Sequence, residues 1–173
     1  AFSVSYEQVC QRLTTLHRDT RRGVPFFFLR VDRAGNVTKR FNATSFTIAE
    51  HGGSCPVWNL HTTFRTPGVI QPQFVELPDG ERYFTLSRTT DRPVYSMDTQ
   101  ERRLAISLGC EIRHAQKLIY TTRTPIPADE DFSKIGISCH LCSRVNCAQR
   151  AHDPLVIELK TDPSRRGETR YES

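Results

Sequence analysis

Three cysteines crowd into nine residues of GISCHLCSRVNCAQRAHDPL, the stretch from Gly136 to Leu155. Cys139, Cys142 and Cys147 follow C-x-x-C-x-x-x-x-C, and His152 comes after four further intervening residues. Thiolates at this spacing can reach one metal ion or one cluster from a single turn of loop. Simple burial is the weaker explanation, because no packed helix or strand needs three thiols with Ser, Arg, Asn and His between them. On spacing alone the metal stays open. C-x2-C-x4-C-x4-H is the zinc-knuckle pattern with its third and fourth ligand types exchanged, which would make a Cys3His zinc site. An iron–sulfur cluster would use the three thiolates and borrow a fourth ligand from elsewhere in the fold. Disulfides fit less well: two bridges would crowd one short loop, and a ring across Cys139 and Cys142 would be strained and reducible.

A fourth ligand has two sources. Cys110 stands one turn before His114 in SLGCEIRHAQKLIY, and Cys55 stands in GGSCPVWNLHTTFRTPG. In the second segment Ser54 or Cys55 can cap a short helix, with Pro56 in its first turn and Pro67-Gly68 ending it. A thiolate beside the positive end of that helix would have a lowered pKa and ligate more readily. Trp58, His61 and Phe64 or Arg65 would share one face of it. They read either as a core stripe or, with exposed backbone N–H groups, as the wall of a pocket for an anionic ligand.

The elements that must hold these residues are legible from periodicity and turn chemistry. Ser5 to Leu16 reads as a helix with a capping box, Ser5 with Gln8, and Val9, Leu13 and Leu16 at helical spacing. Cys10 on that helix reads as core packing. Val24 to Asp32 is apolar enough for a central strand, Arg33 to Asn36 is a turn, and Val37 to Phe41 returns. Gln73 to Leu77 and Tyr83 to Ser87 form a second hairpin around Pro78-Asp79-Gly80. Arg103 to Gly109 is strand-like, Cys110 opens a helix through Tyr120, and Pro125 to Asp131 is a linker into the Cys loop. Leu155 to Leu159 reads as an edge strand, and 161–173 as a flexible tail. The order predicts an α+β fold, an antiparallel or mixed sheet with flanking helices, of the GAF/PAS-like sensor type.

At 173 residues the chain is long enough for one domain with its own core, so metal is not required merely to fold. Its net charge of +5 is scattered, which suits a phosphate-bearing ligand or a solvated surface better than a dedicated nucleic-acid face. No apolar run approaches membrane-spanning length, so no membrane partner is expected. Six cysteines without an export signal point to the reducing cytoplasm, where such clusters bind metal more often than they pair. A homo-oligomer is left open. An enzyme is not expected: H-E-x-x-H, G-x-S-x-G, a phosphate loop and a deaminase H-x-E are all missing, and no third group orients Cys55 with His61 or Cys110 with His114.

Two resemblances sharpen this reading. FSVSYEQVCQRLTTL resembles the closing helix of a zinc-peptidase-like (ImmA/IrrE) domain, which would assign residues 1–20 to a preceding domain and 21–160 to the sensor. GISCHLCSRVNCAQRAHDPL, SLGCEIRHAQKLIY and GGSCPVWNLHTTFRTPG, three separated motifs in order, resemble the C-terminal domain of the short-chain fatty acyl transcriptional regulators. That resemblance covers nearly the whole chain. It implies a sensor of short-chain acyl-CoA, propionyl-CoA among them, in a regulator of propionate and short-chain fatty acid catabolism. Such a regulator meets promoter DNA through an N-terminal helix-turn-helix that this chain lacks. It also implies a 4Fe-4S cluster rather than zinc, on Cys139, Cys142 and Cys147, with Cys110 the first choice for fourth thiolate and Cys55 the alternative. Trp58, His61, Phe64 and Arg65 are the expected acyl-CoA wall. Family members often read Arg-Ala-Phe-Pro-Pro after the last cysteine, where this chain has Arg150-Ala151-His152-Asp153-Pro154. The competing function is a zinc-knuckle nucleic-acid-binding module, but such modules stack bases on loop aromatics and this loop has none.

Overall fold

The computed structural model describes residues 3–18, 21–47, 53–92 and 102–159. Helix α1 (Tyr6–Thr14) begins with the expected capping box: Gln8 N–H donates to Ser5 Oγ at 3.2 Å and Ser5 N–H to Gln8 Oε1 at 2.7 Å. Its buried residues are Glu7, Cys10 and Thr14; of the expected stripe Leu13 packs inward, half-buried, while Val9 and Leu16 are exposed. The rotation follows from Glu7, whose carboxylate meets Arg30 at 2.7 Å and turns that side of the helix inward.

Two-residue strands β1 (His17–Arg18) and β2 (Arg21–Arg22) pair with each other. The main sheet is built from β3 (Phe27–Val31), β4 (Val37–Asn42), β5 (Gln71–Glu76), β6 (Arg82–Arg92), β7 (Arg102–Glu111) and β8 (Ser133–Lys134). Its order is β4-β3-β7-β6-β5-β8, antiparallel throughout except for the parallel β5/β8 edge. The fold is therefore α+β on a mixed six-stranded sheet. Both predicted hairpins are present, and positive φ at Gly35 and Gly80 shows why glycine sits in each turn.

Alternation along the strands makes two cores. Phe27, Leu29, Val31, Val75, Tyr83 and Ala105 face one side, with Phe46, Cys55, Trp58, Leu60 and Ile135 packed over them. Phe28, Phe74, Phe84, Leu86, Ile106, Leu108 and Cys110 face the other, which α1 closes with Cys10. Residues 1–20 are expected to close a preceding domain; within them α1 packs on this core through Cys10.

Three predicted elements differ. β7 runs through Cys110 to Glu111, because burial on both faces is unbroken from Leu104 to Cys110 and pairing of Cys110 with Phe84 continues the ladder; the helical pieces that follow are Ile112–Ala115 (α2) and a 3-10 turn at Ile119–Thr122. The segment after Cys55 forms turns and a 3-10 helix at Thr62–Arg65, since the Asn59 N–H is taken by the Gln73 side chain at 2.8 Å. Residues 155–157 form bends and 158–159 are irregular, with Pro154 removing a ladder donor and Leu155 N–H donating to His140 O instead. The predicted tail, 161–173, lies outside the described residues.

Candidate metal centre

β8 delivers the Cys loop to the sheet edge. Ile135 N–H donates to Glu76 O at 3.0 Å and Ile135 is buried in the first core, so the loop starts from a fixed point. A single 3-10 turn at Cys139–Leu141 follows. Cys142 is buried, Cys139 and Cys147 are half-buried, and Arg150 N–H closes the far turn onto Cys147 O at 3.1 Å. A Cβ on Gly136 would lie 2.8 Å from Cys142 Sγ, so the chain passes hard against that sulfur. All six cysteines are free thiols.

Cys55 comes to this loop from the segment that covers the same core. Burial pushes its thiol pKa up, backbone N–H groups of Gly136 and Val57 counter this in part, and the charges of Cys139 and Cys142 push it up again. Two segments far apart in sequence meet here, with Gly136 bonded to the Cys55 sulfur and pressed against Cys142. The lowered pKa expected of a helix N-cap is absent, because the first helical turn begins at Thr62 and the thiol is buried. Cys110 is elsewhere. It lies in the core on the other face of the sheet, where burial and then Glu111 push its pKa up to about 12. His114, beside it in sequence, contacts Lys117 at 3.4 Å.

The predicted ligand wall separates. Trp58 is 2% exposed in the core, with its indole N–H on Thr85 Oγ1 at 3.4 Å, and Phe64 packs against the same core. Arg65 is exposed. His61 reaches a cleft of about 350 Å³ that it shares with Gly35, Ser54, Cys139, His140 and His152, whereas Trp58 borders a void of about 10 Å³ inside the core. Its Nε2 lies 3.0 Å from Ser54 Oγ, and burial holds its pKa below the usual histidine range. His140 and His152 stack at 4.8 Å, with His140 Nδ1 3.1 Å from Asp153 O. Gly35 and the two loop arginines, Arg144 and Arg150, are not marked as site residues by spacing, and Ser54 is marked only as a helix cap; a basic residue inside a cysteine cluster is the signal that points to the arginines.

Among the described residues no three His, Cys, Asp or Glu side chains converge tightly enough to hold a single metal ion. A tetrahedral zinc site with 2.3 Å bonds needs sulfurs about 4 Å apart. A four-iron cluster holds its thiolates at the corners of a larger cage, and the donor set here, all thiols and partly buried, has the softness such a cluster requires.

Comparison with known proteins places the chain. The model of the short-chain fatty acyl coenzyme A regulator C-terminal domain matches residues 15–171. The chain belongs to this family. Among relatives of this regulator domain, it is 48% identical over 171 residues to the propionyl-CoA carboxylase regulator of Cereibacter sphaeroides, covering 99% of the chain and 37% of that protein. It is 43% identical to the HTH-type transcriptional regulator RamB of Mycobacterium tuberculosis, covering 95% of the chain and 35% of that protein. A solved Mycobacterium tuberculosis transcriptional regulator superposes with a TM-score of 0.88 at 39% identity, covering 98% of the chain and 52% of that structure. The chain thus spans about a third of the curated relatives. No helix among the described residues is long and apolar enough to cross a membrane.

Proposed function

We propose that this domain is the effector-sensing part of a transcriptional regulator, binding a short-chain acyl-CoA such as propionyl-CoA and holding a 4Fe-4S cluster. Cys139, Cys142, Cys147 and Cys55 are its ligands; Cys55 replaces Cys110 as fourth thiolate. The observation that supports this reading is the junction at Gly136, which bonds the Cys55 sulfur and lies against Cys142 Sγ, joining two segments. When bound, the cluster supplies one-electron chemistry and a target for oxidants or nitric oxide. The chain's own residues do the rest: the Gly136 and Val57 N–H groups steady the Cys55 sulfur, and β8 anchors the loop.

The acyl-thioester end is assigned to the cleft beside Cys139, whose size suits a small-molecule site. His61, Ser54 and the Gly35 backbone offer polar contacts there, and Pro56 and Ala151 offer apolar ones. The GAF/PAS-like sensor role rests on this arrangement of sheet, loop and cleft. Promoter DNA is then met by another part of the protein, as in the HTH-type relatives.

Anaerobic purification of the intact chain tests the reading. A brown protein with iron and acid-labile sulfide, binding propionyl-CoA by calorimetry, is expected. Colourless protein carrying zinc, or iron-loaded protein with no affinity for any acyl-CoA, defeats the corresponding half.

A further inference from the structure

Arg150 is only 5% exposed, yet no carboxylate among the described residues pairs with it. Its Nη1 donates to Cys139 O at 3.3 Å, its Nη2 donates to Arg144 O, and its buried Nε has no partner. Arg144 is held in the same way, on Ile135 O at 3.3 Å and Glu76 O at 2.9 Å. The carboxylate of Glu76, whose backbone oxygen takes Arg144, is committed to Lys134 at 2.6 Å and Arg82 at 3.0 Å. Two guanidinium groups therefore sit in a loop with three thiols and a single acid, Asp153. A buried, uncompensated cation is strongly unfavourable, and carbonyl dipoles compensate it only in part. Exposure would relieve the problem, but the Cys139 and Arg144 carbonyls hold Arg150 inside.

We propose that Arg150 is the counter-charge of the metal centre, resting on the cluster reading above. Four thiolates around a four-iron core carry net negative charge, which grows when an electron is accepted. A buried guanidinium fixed on the carbonyl of a ligand cysteine offsets that charge and favours the reduced state. Arg150 is thus a positioning and tuning residue; it need not touch iron.

Redox titration of the loaded intact chain, followed by visible absorbance, compares wild type with Arg150→Lys and Arg150→Gln. In Arg150→Gln the reduced-to-oxidised ratio at fixed potential falls about tenfold, a 59 mV negative shift for one electron. Arg150→Lys keeps the charge and stays about threefold or closer to wild type. A Gln variant that titrates with wild type overturns the proposal, as does a Lys variant that shifts equally. Should the Gln variant fold but lose iron, retention by the Lys variant supports the charge role and equal loss overturns it. A Gln variant that cannot fold even metal-free also overturns it, since the role would then be structural. Wild type without iron sinks the cluster reading itself and is told apart by elemental analysis before any variant is made.

Discussion

On the face of the sheet closed by α1, Cys10 and Cys110 lie among Phe28, Phe84 and Ile106; on the opposite face Cys55 lies at the border between the Phe27–Trp58 core and the loop of Cys139 and Cys142. Burial raises the pKa in all three cases, to about 11 for Cys10 and about 12 for Cys110. What differs is the company. Cys110 is influenced only by burial and by a like charge, whereas Cys55 receives two backbone N–H groups and faces two more sulfurs. The same residue type is apolar filling on one face and a prospective ligand on the other, and the neighbours decide which.

The largest effect expected belongs to the seam between strands. A Cβ on Gly109 would lie 2.3 Å from Phe27 Cζ and 3.1 Å from Thr85 Cγ2. Gly109→Ala should destabilise the chain by about 3 kcal/mol in urea unfolding. An unchanged midpoint would show that Phe27 yields freely.

Next is the ion pair that fastens α1, with side chains only 11% (Glu7) and 15% (Arg30) exposed. Glu7→Gln should cost about 2 kcal/mol, below the range for fully buried pairs, and leave iron content unchanged because it acts on the face without the loop. The cysteine comparison is tested directly by serine substitution. Cys110→Ser should cost about 1.5 kcal/mol for a buried hydroxyl and keep its iron; Cys55→Ser should lose its iron. Iron retained by Cys55→Ser and lost by Cys110→Ser would reverse the two faces.

The smallest effect is a pH dependence at the edge that feeds the loop. Hydrogen bonding from Lys134 holds the Glu76 carboxyl below the usual range against opposing burial, with a further hydrogen bond from Arg82 in support. A depressed folded pKa stabilises above the unfolded value and is lost as pH falls through the folded one. Urea midpoints of wild type and Glu76→Gln should therefore differ at neutral pH and converge in acid. A gap that widens in acid would mean that Glu76 is not tied to Lys134.

Both hairpins were legible because Gly35 and Gly80 announce turns that only a residue tolerant of positive φ can make. The cysteine loop stands out as a candidate metal site through its thiol spacing. Which distant cysteine would join it was not legible, since spacing is silent on the face of a sheet: Cys110 and Cys55 look equally eligible until alternation along β7 turns Cys110 away. Trp58 misled in a related way. Its helical spacing with His61 and Phe64 was real, but the pull of the Phe27, Phe46 and Tyr83 rings put the indole in the core. The rotation of α1 was hidden for another reason, because nothing local marks Glu7 as the partner of an arginine on β3.

Gly136 leaves room for a hydrogen atom and nothing larger beside Cys142. The residue works as a gauge between the two sulfur-bearing segments, its bare Cα setting how near they come while its amide steadies the Cys55 sulfur. Any side chain inserted there acts as a shim, prying apart a junction whose dimensions the rest of the sheet has already fixed.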